Sequence, residues 1–184
     1  MNNFHYAKVF YETQEEFPGF QILRKEESAL MKIIDIVLKV ITLGSMRTFM
    51  TSFVTTIGVV VFVPKGWDDR EDESRAATLR HERVHMRQRR AMGGFLFVLR
   101  YLWWPLPLVF AIGRRNIEQE AYAESLRAWV EYRGTSILDD HNYREHILSH
   151  FSGSNYFWTW PWRTSLERWY DGVVEDLRAE QAPL

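Results

Sequence analysis

Residues 68–94 read DDREDESRAATLRHERVHMRQRRAMGG. Asp68, Asp69, Glu71, Asp72 and Glu73 open the stretch, Arg83, Arg87, Arg89 and Arg90 crowd its second half, and Gly93-Gly94 close it. Acid at the start, base at the end and glycine as a stop are what a helix dipole and a C-cap favour. The spacing predicts a helix from Ser74 to about Met92. Inside it lies His81-Glu82-Arg83-Val84-His85. Residues four apart on a helix differ by about 40° around its axis and one turn along it. Both imidazoles can therefore face one ion held about 2.0–2.1 Å from each nitrogen. Glu82 projects beside His81 and is placed to take a proton from a water that the ion has acidified. The pattern assigns zinc to His81 and His85 and a general-base role to Glu82. The competing reading makes the histidines surface or capping groups, and the arginines a solvated face.

Upstream, Val59-Val60-Val61-Phe62-Val63 is the strongest β run in the chain, closed by Pro64 and Gly66, and Arg47–Val63 reads as one or two strands. Gln21–Leu43 reads as a helix ended by Gly44. Its apolar positions Leu30, Ile33, Ile34, Val37, Leu38 and Ile41 recur at helical spacing, with Lys32, Asp35 and Lys39 turned away. Residues 1–20 are polar and aromatic and read as a strand or an arm. Met1–Phe17 has neither a basic nor an apolar leader region, so the expected location is cytoplasmic.

Downstream, a hydrolytic zinc site needs a third protein ligand. A histidine six residues after His85 is ruled out, because that position is Ala91. Asn116–Glu124 offers carboxylates on a second expected helix, where Glu118 and Glu120 point about 200° apart, so only one can face the ion. An ordinary charged helix face explains the same residues. His146 and His150 are again four apart, near His141 and Asp140; polar-face histidines are preferred there over a second metal site. Tyr156-Phe157-Trp158-Thr159-Trp160-Pro161-Trp162 is unusually aromatic and is read as a core seam rather than a binding platform. A final helix is expected over Arg163–Glu180.

Composition limits the alternatives. The 184 residues suit a single domain, and 46% hydrophobic content supplies a core. A formal net charge of −1 gives no electrostatic case for nucleic acid. With no cysteine, thiolate metal sites and cysteine nucleophiles are excluded. Thr48–Val63 carries no charge but is β-branched and too short for a spanning helix. Phe95–Ile112 is longer, but holds Arg100, Pro105 and Pro107, and is read as buried rather than spanning. Membrane-surface association is the lesser alternative.

The two motifs together, His81-Glu-x-x-His85 and then Glu118-x-Glu120-Ala121, resemble the gluzincin zinc peptidases. The layout is similar to that of the prenyl-protein and heat-shock peptidases and of the peptidase domain of β-lactam sensors. The resemblance covers roughly Thr55–Arg127. It implies that Glu118 is the third zinc ligand. The family's second motif continues to an Asp that orients a zinc histidine; this chain has Tyr122 there, and Glu120 stays open as the alternate ligand. Thr55–Pro64 resembles the edge strand that zincins place beside the substrate. The expected fold is thus an α+β minimal zincin over 1–184, with a motif core at about 55–127 and a helical, Trp-rich part at 128–184: a short twisted sheet with the active-site helix and several helices packed on it. The implied activity is zinc-dependent cleavage of a peptide or protein substrate, with His141, His146, His150 and Tyr156 as candidate oxyanion donors. The alternative is a zincin-fold structural or binding protein that cuts nothing.

Overall fold

The computed structural model describes residues 4–41, 44, 47–97, 111–152 and 163–181. The fold class is α+β, one small mixed sheet and otherwise helices. The chain divides into two compact units, Met1–Arg87 and Gln88–Leu184.

The first unit begins with a helix, α1 (Phe4–Glu16), where a strand or arm is expected from the sequence. Its local sequence is rich in aromatic residues that suit strands, and its helical state rests on distant partners. The Asp72 carboxylate accepts the backbone N–H groups of His5 and Tyr6 at 2.8 and 3.2 Å, satisfying first-turn donors that a helix leaves open. Further along, Arg83 donates to Glu12 at 2.9 Å and Arg87 to Glu16 at 2.7 Å. These partners rise in step along both chains, so α1 runs parallel to the helix that bears them. Val9, Thr13 and Phe17 are buried at helical spacing.

The expected helix over Gln21–Leu43 is divided. Gln21–Arg24 forms β1, Lys25–Glu27 a single 3-10 turn, and only Ala29–Ile41 is helical, as α2. Ser28 starts α2, its hydroxyl accepting the Met31 N–H at 3.3 Å. β1 is a strand because it pairs in parallel with β3 (Val60–Val63), Gln21 opposite Val60. β2 (Thr55–Ile57) pairs antiparallel with β3, joined through Gly58, whose φ of 70° suits a tight hairpin. The order is β1-β3-β2, which places the Val-rich run at the centre and β2 at an edge.

Side chains alternate across the sheet. Phe62 and Val60 face α2, where Phe62, Met31 and Phe49 form a core lined by Ile34 and Leu38. This corrects the face expected for α2. Leu30, Ile33 and Val37 are exposed, Ile36 and Val40 are 62% and 70% exposed, and Asp35 is buried. Lys25 is fully buried, its Nζ donating to the Phe49 carbonyl at 2.8 Å and lying 3.6 Å from that ring's centre. Burial pulls its pKa down to about 8, while the charges of Glu82 and Asp35 oppose the fall. Asp35, whose charge acts on this cation, accepts a hydrogen bond from Lys39 Nζ at 2.7 Å.

On the opposite sheet face are Val61, Val63 and Thr56, the last reaching α3 (Asp72–Met92). The helix expected from Ser74 to Met92 is therefore present and starts two residues earlier. Gly93, at φ 81°, follows its last turn.

In the second unit, α4 (Ala111–Arg133), α5 (His141–Ser152) and α6 (Arg163–Gln181) enclose a core of Leu126, Val130, Ile147, Leu148, Leu166 and Tyr170. The expected helices around Asn116–Glu124 and over Arg163–Glu180 are both there. Asp140 starts α5, accepting the N–H groups of Asn142 and Tyr143 at 2.8 and 3.1 Å. Trp169 packs against this core, 5.5 Å from Phe151 between ring centres. The aromatic run Tyr156–Trp162 and most of Phe95–Ile112 lie outside the described residues. Among the described residues no helix is long and apolar enough to cross a membrane.

Candidate metal centre

α3 carries the first motif on its buried flank. The rings of His81 and His85 meet edge-on, 4.8 Å between centres at 82°. Their Nε2 atoms stand 3.1 Å apart. Glu118 on α4 completes a group in which one ligand atom from each residue lies within 4.8 Å of the others, and such a group could hold a metal ion. Among the described residues it is the one set of three or more His, Asp or Glu side chains so arranged. The donor chemistry fits a cation: two imidazole nitrogens and one carboxylate, with His85 and Glu118 each 8% exposed. Burying a carboxylate is costly unless a cation faces it. Here Arg114, one turn earlier on α4, brings its Nε to 3.9 Å from Glu118 Oε1.

Glu82 is 7% exposed. Thr56 of β2 donates its hydroxyl to Glu82 Oε2 at 2.6 Å, and the Lys25 charge lies close enough to be stabilised by this carboxylate. The edge strand thus holds one carboxylate oxygen and leaves Oε1 for other work. In the sequence Thr56 is simply part of a β-branched run; its spacing relative to Glu82 offers no local signal.

Glu120, the alternate ligand, is otherwise engaged. Its carboxylate accepts a hydrogen bond from Gln88, whose Nε2 also donates to the Ile117 carbonyl at 3.0 Å. No sequence motif marks Gln88, although it follows His81 by seven residues, just under two helical turns. Tyr122 stacks on His150, 5.5 Å between ring centres, and packs on Phe151. Of the oxyanion candidates, His141 and His146 are exposed on α5 and Tyr156 lies outside the described residues. His146 and His150 approach to 3.2 Å, but among the described residues no third side chain completes a metal-holding group with them.

No family model, curated protein or solved structure matches the chain.

Proposed function

We propose that His81, His85 and Glu118 bind zinc and that Glu82 serves as general base in hydrolysing a peptide bond, in the manner of the gluzincins that the two motifs resemble. The observation that carries this reading is the pairing of a His-His-Glu group, in which His85 and Glu118 are buried and His81 half-buried, with a neighbouring carboxylate held at one oxygen. Zinc suits the separation of the two nitrogens: ligands about 2.0–2.1 Å from a tetrahedral ion stand roughly 3.3 Å apart, against 3.1 Å here. When bound, zinc supplies Lewis acidity, polarising a carbonyl and lowering the pKa of a water toward about 7.

The remaining steps belong to the chain. Glu82 Oε1 takes the proton of the attacking water and returns it to the departing amine. Thr56 keeps the carboxylate from rotating away between the two transfers. β2, at the sheet edge, offers main-chain groups to an extended peptide.

Elemental analysis of protein purified without a metal-binding tag tests the ligands. About one zinc per chain is expected (two imidazoles and a carboxylate with one open position), lost in the double variant His81→Ala, His85→Ala. Folded protein that takes up no zinc would overturn the reading. Glu82→Gln tests the chemistry: zinc stays bound and cleavage of a peptide library is abolished. A wild type that binds zinc and cleaves nothing instead supports a zincin-like structural or binding protein.

A further inference from the structure

Glu118 and the two histidines sit on different helices, and ligands must be held to within about 0.5 Å to favour one ion. Something beyond the ligands has to set the height and rotation of α4 at Glu118. Gln88 is placed to do so. It is 8% exposed and leaves α3 on the side of His81, two turns further on. Its amide donates to the Ile117 carbonyl and to the Glu120 carboxylate, the residue before Glu118 and the residue two after it.

The chemistry of the amide suits this place. The Ile117 carbonyl lies within α4, where one lone pair is committed to the helix ladder. A second donor can still be accepted, and the side-chain NH2 of Gln88 has two hydrogens, one for each acceptor. Glutamate in its place has no donor, and methionine has the length but neither hydrogen. The two bonds bracket the ligand, so α4 can neither slide by a residue nor roll about its axis without breaking one of them.

We propose that Gln88 is a positioning residue of the metal centre, acting through Glu118 by clamping α4 at Ile117 and Glu120. The inference rests on Glu118 being a ligand, as in the proposed function, but does not need the protein to cleave peptides. Groups that orient metal ligands typically change affinity about 10- to 100-fold when removed, and Gln88→Met is expected to weaken zinc binding by that factor.

The test is zinc affinity by competition with a chelating dye, with circular dichroism of the metal-free protein as the control for folding. A double-mutant cycle separates positioning from general damage. Gln88→Met weakens zinc binding in the wild type and adds nothing in a Glu118→Gln background, where the ligand it positions is already compromised. If Gln88→Met does not fold, Gln88→Glu serves: it sets two carboxylates face to face and lowers affinity, and adding Glu120→Gln restores one donor and recovers part of the loss. Wild-type affinity in Gln88→Met, an equal loss in both backgrounds, or no recovery in the paired swap would each overturn the proposal. A wild type that binds no zinc overturns it together with the peptidase reading. Zinc binding that responds as described, without any cleavage, overturns the peptidase reading alone.

Discussion

α2 and α3 invert what their compositions suggest. α2 is made mostly of Leu, Ile, Val and Met, yet Leu30, Ile33, Ile36, Val37 and Val40 stand exposed on it while Asp35 is buried. α3 is one of the most charged stretches in the chain, yet Arg75, Glu82, Arg83, His85 and Gln88 are buried. What a helix hides follows its partners, and a buried polar group is tolerated where it is matched. Arg83 has Glu12, Glu82 has Thr56, and Gln88 has Ile117 and Glu120. The exposed apolar face of α2 has no functional counterpart in the candidate site, whereas the buried polar face of α3 is the candidate site.

Four measurements would sharpen that contrast or break it. The largest effect is expected where α3 buries a purely apolar group. Leu79 is 1% exposed, and Leu79→Ala should lower stability by about 2–5 kcal/mol in urea unfolding. A loss below 1 kcal/mol would mean that α3 is held by its ion pairs instead.

The second concerns the buried cation beside Phe49. The folded Lys25 pKa of about 8 lies below its ordinary 10.5, so the folded chain holds this proton less tightly than the unfolded chain. The cost of the buried ammonium is fully present below pH 8 and is relieved as pH rises from 8 to 10.5. Relative to Lys25→Met, the wild type should gain up to about 3 kcal/mol across that window. A difference flat with pH would show that the folded chain holds this proton as tightly as the unfolded chain does.

Third, Thr56→Val removes a hydroxyl bonded to a buried carboxylate and keeps the shape. Stability should fall by about 1.5–3 kcal/mol, and any peptidase activity should fall in kcat more than in KM. The smallest effect belongs to α2: Ile33→Ser on its exposed face should change stability by no more than about 0.5 kcal/mol. A large loss there would reveal an apolar partner for that face.

α3 was legible because its signals are local: acids, bases, a glycine stop and two histidines one turn apart all lie within a few turns. β3 was legible for the same reason, as an unbroken run of β-branched residues. The misreadings share a different cause. α1 depends on Asp72, Arg83 and Arg87; β1 depends on β3; the roll of α2 follows its packing on Phe49 and Phe62. In each case the deciding partner is distant or on another element, and periodicity carries no trace of it. The same holds inside the site. The histidines and Glu82 follow from spacing, and Glu118 from resemblance. Thr56 and Gln88 act across elements, and only their placement opposite Glu82 and around Glu118 reveals them.

The capping of α1 by Asp72 has a consequence for synthesis. The residues that close the first turn of α1 and pair with its acidic side come 66 to 71 positions later in the chain. At about 5–20 residues per second, a ribosome needs roughly 3 to 14 seconds to make them. A helix of barely four turns is marginal alone in water. For those seconds the nascent segment is without its lasting neighbours, and its aromatic residues are open to whatever waits at the exit tunnel. The speed of translation through the Asp72–Arg87 region therefore sets how long that window stays open.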